Sequence, residues 1–105
     1  MTKVKFLFEN ELPVGFNIVG HSTSSQNDEQ GRLVCSAVSS AAYLVANTIT
    51  DVIGATADIK VNDGKMQLIV KSDFEECLNI LSGFKLHIEQ LSEQFKNHVT
   101  IITEV

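Results

Sequence analysis

Two residues fourteen positions apart carry the clearest chemical potential in this chain, His21 and Cys35. A thiol becomes a strong nucleophile once it loses its proton. An imidazole within reach can take that proton and later pass it to a leaving amine. The segment spanning residues 20–40, GHSTSSQNDEQGRLVCSAVSS, gives both groups a suitable setting. It places the histidine at the end of an apolar run, a polar stretch after it, and the cysteine where a helical apolar pattern begins. A cysteine near a helix N-terminus gains from the macrodipole and from unpaired backbone N–H groups, which lower a thiol's pKa and can also hold an oxyanion. Arg32, the only arginine, lies three residues before Cys35 and adds positive charge. Against this stands the commonest fate of a free cysteine, burial as a small apolar side chain. Spacing alone leaves both readings open.

The elements that must position these residues follow from periodicity. Residues 3–8 and 14–19 read as strands joined by a turn over residues 9–13, a hairpin signal. Alternation puts Phe6 and Phe8 on one face with Val4. Residues 22–32 are polar and lack apolar periodicity, so they read as a loop, one expected to close over a bound peptide. From Leu33 to about residue 52, the spacing of Val34, Val38, Ala41, Ala42, Val45 and Ile49 predicts a helix, with Gly54 as its stop. Small residues in its first turns allow close approach of a sheet or partner helix. Residues 57–61 and 66–71 read as strands around Asn62-Asp63-Gly64, and an Asp-Gly pair is a strong hairpin turn. Ser72 and Glu75 fit a capping box. A second helix then runs to about residue 96 on a stripe of Phe74, Cys77, Leu78, Leu81, Ile88, Leu91 and Phe95. Residues 99–105 close the chain as a strand. The order ββαββαβ predicts a two-layer α+β fold, a mixed sheet of about five strands with two helices on one face, and a single domain over residues 1–105.

Composition narrows the function classes. The chain has 105 residues, 44% of them hydrophobic, and a formal net charge of −5. That is globular composition, and the negative charge argues against general nucleic-acid binding. The longest strictly apolar run, Ala41 to Ala46, is far below the ~20 residues of a bilayer span. The N-terminal segment MTKVKFLFEN does not read as a signal peptide. Two cysteines with no export signal point to free thiols in a reducing, cytoplasmic setting. His21, His87 and His98 are widely separated and no CxxC or HExxH occurs, so no metal or other cofactor is expected. Cys77 falls on the apolar stripe of the second helix and reads as core, and His87 and His98 read as surface or satisfied polar residues.

Gly20-His21 followed, past the loop, by Leu33-Val34-Cys35-Ser36-Ala37-Val38-Ser39 resembles the signature of the ribosomal-processing cysteine protease family (Prp). That signature is a Gly-His and then an Ile-Val-Cys-Ala-Ala-Val-Ser run. Asn47 also matches a position where the family often has Asn, and length and element order agree over nearly the whole chain. The resemblance implies that Cys35 is the nucleophile and His21 its base, with Gly20 and Ser39 contacting substrate. It implies as substrate an N-terminal, hydrophobic, Phe-rich extension on a large-subunit ribosomal protein of the L-twenty-seven type. It also implies a homodimer, with neither nucleic acid nor membrane as direct partner. Two residues depart from the pattern: Arg32 stands where the family has Asp, and Ser36 replaces Ala. Arg32 motivates an alternative, a catalytically weak or inactive peptide-binding, ribosome-associated module of the same fold. A small-molecule regulatory domain is a third reading by fold analogy, but it has no use for the His21 and Cys35 arrangement.

Overall fold

The computed structural model describes residues 1–20 and 29–103. His21, residues 22–28 and residues 104–105 lie outside the described set, and with them the closing-loop expectation. Five strands and two helices follow one another as β1 (Thr2–Glu9), β2 (Leu12–Val19), α1 (Glu29–Asn47), a π-helical continuation (Thr48–Ile53), β3 (Ala57–Asn62), β4 (Lys65–Val70), α2 (Phe74–Gln94) and β5 (Val99–Thr103). They form the expected α+β arrangement. The sheet order is β3-β4-β2-β1-β5, antiparallel except where β5 runs parallel to β1.

Alternation along the strands builds one apolar face. Phe6 pairs with Phe16, Phe16 with Leu68, and Leu68 with Ile59, giving one row across the sheet. Val4, Ile18, Met66 and Val61 form the next row. The helices cover this face through Val34, Val38, Ala42, Val45 and Ile49 on one side and Cys77, Leu81, Phe84, Ile88 and Leu91 on the other, all in one core. Full burial of each large apolar side chain contributes about 1.5–3 kcal/mol. Phe84 is the hub. Its ring meets Phe16 at 4.7 Å and Phe6 at 5.7 Å, the latter edge-on. The same residue completes the 77, 81, 84, 88, 91 spacing of α2 and belongs in the stripe where Phe74, which is exposed, does not.

Several local expectations are corrected. The first hairpin turns in two residues, Asn10 and Glu11, both at positive φ. This is the turn whose twist suits adjoining strands. The β1–β2 pairing skips Val14, a bulge in β2 between the Leu7–Gly15 and Phe8–Pro13 pairs, and at this end of the hairpin Phe8 is exposed while Phe6 is buried. Helix α1 begins at Glu29, so residues 29–32 are helical rather than loop. At its other end, the Thr48 hydroxyl donates to the Leu44 carbonyl at 2.7 Å and the Thr50 hydroxyl to the Ala46 carbonyl at 3.0 Å. Hydroxyls that occupy the i−4 carbonyls compete with the α-helical ladder, consistent with the wider π turns that follow. Gly54 ends this segment as expected, at φ 81°. The capping box does not form. Asp73 is the cap residue, and the Ser72 hydroxyl instead accepts from the Thr56 N–H at 2.8 Å and donates to the Asp73 carboxylate at 2.9 Å. Ser72 thus ties the start of α2 to the start of β3. The helical stretch from residue 29 to 53 is long and apolar enough by composition to cross a membrane. Its apolar side, however, is the roof of this core.

Candidate active site

Helix α1 sets Cys35, Ser39 and Tyr43 at i, i+4 and i+8, one above another on a single face. That face borders a cleft of ≈ 130 Å³. The opposite wall is Val61 and Asn62 of β3, with Gly64, Lys65 and Met66 from the turn and β4, and Gly20 with Ile18 comes in from β2. Cys35 is a free thiol, half-buried. Of the residues expected to act, Cys35, Ser39 and Gly20 therefore share one cavity. His21, the covalent neighbour of Gly20, lies outside the described residues.

Gly20 holds its place for a geometric reason. It sits at φ 93°, and a Cβ there would lie 2.6 Å from the Met1 carbonyl oxygen. Its N–H donates to the Gly64 carbonyl at 2.9 Å, fastening the end of β2 to the β3–β4 turn. The cleft's floor is thus tied to its wall by backbone.

The electrostatic argument for Cys35 changes with the helix boundary. Cys35 is the seventh residue of α1, in its second turn. The macrodipole acts within the first turn, and an N–H this far along is committed to the carbonyl four residues back. Neither the helix end nor the Cys35 N–H supplies the thiolate field or oxyanion donor that a helix starting at Leu33 would have given. Arg32 is exposed, one turn before Cys35, and is not among the residues lining the cleft.

The remaining candidates are accounted for structurally. Cys77 is fully buried; burial pushes its thiol pKa up, and the Asp73 and Glu76 carboxylates add to the shift. The His98 carbonyl accepts the Thr2 N–H at 2.8 Å, and His87 lines a shallow groove between α1 and α2. A cleft of ≈ 200 Å³ between the first hairpin and the start of α2 offers Glu9 and Glu75 but no thiol or imidazole. Among the described residues, no group of three His, Cys, Asp or Glu side chains is placed to hold a metal ion. Sequence reasoning missed Tyr43, although the 35, 39, 43 spacing points to it. It also missed Val61, Asn62 and Lys65, which reach the cleft only through the strand order.

The family model of cysteine protease Prp matches residues 1–100. Among solved structures, the chain resembles the essential ribosomal processing protease Prp from S. aureus in complex with a covalently linked product peptide. The TM-score is 0.87 at 17% identity, covering 99% of this chain and 100% of that one. The same S. aureus protease with a substrate peptide gives 0.86 at 16% identity, with 99% and 100% covered. A Streptococcus mutans protein, SMU.848, gives 0.82 at 23% identity, with 99% and 96% covered. No curated protein matches the chain.

Proposed function

The chain belongs to the cysteine protease Prp family, and from that membership we propose that it is an active endopeptidase with Cys35 as nucleophile and His21 as general base. The observation that carries this reading is the shared cavity: Cys35 and Gly20, the residue joined to His21, line one cleft. In the first half-reaction His21 takes the Cys35 proton and the thiolate adds to the scissile carbonyl carbon. Collapse of the tetrahedral adduct expels the amine, which leaves with the proton from His21, and a thioester remains on Cys35. Water, deprotonated by His21, then releases the acid and restores the thiol. Ser39, one turn beyond Cys35, contacts the substrate backbone, and Gly20 leaves room for it.

The substrate in this reading is a hydrophobic, Phe-rich N-terminal extension of an L-twenty-seven-type ribosomal protein, cut in the cytoplasm. Ile18, Val38, Tyr43, Val61 and Met66 give the cleft an apolar lining that suits such a segment. The enzyme acts as a homodimer. Leu33 and Leu44, both 63% exposed and eleven residues apart on one face of α1, are apolar surface that a second copy would cover. The Arg32 departure favours the inactive-module reading, but Arg32 does not line the cleft. Incubating the precursor protein with this chain and measuring intact mass tests the proposal. One new species lighter by the extension is expected. A precursor that is bound but unchanged in mass would favour the inactive module.

A further inference from the structure

Among the described residues β3 pairs only with β4, which makes it an edge strand of the sheet. Its hairpin closes over the two-residue Asp63-Gly64 loop, so Asn62 and Lys65 are a hydrogen-bonded pair, and the pattern repeats at Lys60–Gln67 and Asp58–Ile69. In an antiparallel ladder a residue of such a pair turns both its N–H and its C=O toward the partner strand. The intervening residues turn both outward. Ile59 and Val61 therefore present their backbone N–H and C=O groups along the free edge. Their side chains lie in the core rows of the sheet, yet are 38% and 50% exposed where the helices stop covering them. Val61 and its neighbour Asn62 are also a wall of the Cys35 cleft.

An exposed edge of this kind is usually blunted by proline or by a bulge that breaks its register. Residues 57–62, ADIKVN, contain no proline, and their pairing with β4 runs without a shift. The strand thus keeps two backbone donors and two acceptors in line, next to a nucleophile, with apolar side chains on the same side as that nucleophile. Such an edge fits an extended peptide with apolar residues at alternate positions.

We propose that the substrate's extended segment adds to the free edge of β3 as a sixth strand, its backbone paired with Ile59 and Val61 and its alternate apolar side chains directed toward the Cys35 cleft. This rests on the endopeptidase reading and specifies how that site takes its substrate. Each added residue advances about 3.3 Å, so a strand on this edge feeds the chain past Val61 toward Cys35 in extended form. It also explains how a small cavity can select a long apolar segment: backbone pairing supplies length, and the cleft reads one side chain.

The test uses Cys35→Ser protein and a fluorescein-labelled peptide spanning the Phe-rich extension and its cut, read by fluorescence polarisation. A series of peptides carries a single backbone N-methyl group at each position in turn. Strand addition predicts that methylation weakens binding at alternate positions, by about tenfold where the N–H pairs with β3 and far less between. Ile59→Pro, which removes an outward N–H without touching the β4 ladder, weakens the unmethylated peptide to a similar degree while keeping the melting transition. Uniform sensitivity along the peptide, or none, overturns the proposal, whatever cleavage the wild type shows. If Ile59→Pro instead splits a dimer into monomers by sedimentation, the edge belongs to a second copy and the proposal fails. A precursor that is neither bound nor cut removes the endopeptidase reading, and this inference with it.

Discussion

Gly20→Ala should cost far more than the same change at Gly54, although both glycines sit at positive φ. At Gly54, φ is 81° and an added Cβ finds nothing within 4 Å, so the penalty is conformational only, roughly 1 kcal/mol. At Gly20, φ is 93° and the Cβ would stand 2.6 Å from the Met1 carbonyl oxygen. Ordinary carbon–oxygen contacts begin near ~3.3 Å, so that carbonyl must move by roughly 0.7 Å. It shares a peptide plane with the Thr2 N–H, which donates to the His98 carbonyl at 2.8 Å. Relieving the overlap strains or breaks that bond, for about 1 kcal/mol beyond the conformational term. The total is about 2 kcal/mol. For a domain of this size, thermal unfolding should show a drop of roughly 8–16 °C for Gly20→Ala and about 5 °C for Gly54→Ala. Because Gly20 also borders the cleft, Gly20→Ala should slow cleavage of the precursor at a temperature where both variants are folded. Equal melting temperatures would refute the argument that the Met1 contact, rather than φ, fixes this residue.

Three further outcomes follow from the cysteines. Cys77→Ala should destabilise by about 1–2 kcal/mol in denaturant titration, as a small truncation in a fully buried position, and leave precursor cleavage unchanged. Cys77 also makes stability pH-dependent. Its folded pKa lies above the unfolded value of about 8.5, so the unfolded chain releases the proton first. Stability should hold below that pH and fall as pH rises through and above it, and Cys77→Ala should flatten the fall. Titration with a disulfide reagent near neutral pH should count one reactive thiol in the folded protein, Cys35, and both thiols in denaturant.

The two-layer plan was legible because each element announces itself locally. The Asp63-Gly64 turn, the apolar spacing of α1 and the alternation of β2 need no knowledge of the rest of the chain. What escaped depends on partners. Phe8 follows the alternation of Val4 and Phe6 yet is exposed, at the end of the hairpin where the pairing skips Val14 of β2. The start of α1 lies in polar residues with no apolar period, so the apolar pattern places Cys35 in the first turn whereas it lies in the second. Ser72 and Glu75 satisfy the capping pattern, but the Thr56 N–H offers Ser72 a better partner from a distant strand. At the cleft, Cys35, Ser39 and Gly20 were readable from the motif. Val61, Asn62 and Lys65 were not, since only the β3-β4-β2 order brings them to α1.

The central claim, that Cys35 is the nucleophile of a peptidase, is tested most directly by the rate at which Cys35→Ala protein converts the precursor, measured by intact mass beside the wild type. Loss of the attacking atom should lower that rate by on the order of 10⁴-fold or more, with the melting temperature near that of the wild type because the side chain is only half-buried. Cleavage by folded Cys35→Ala protein at a rate comparable to the wild type would contradict the account.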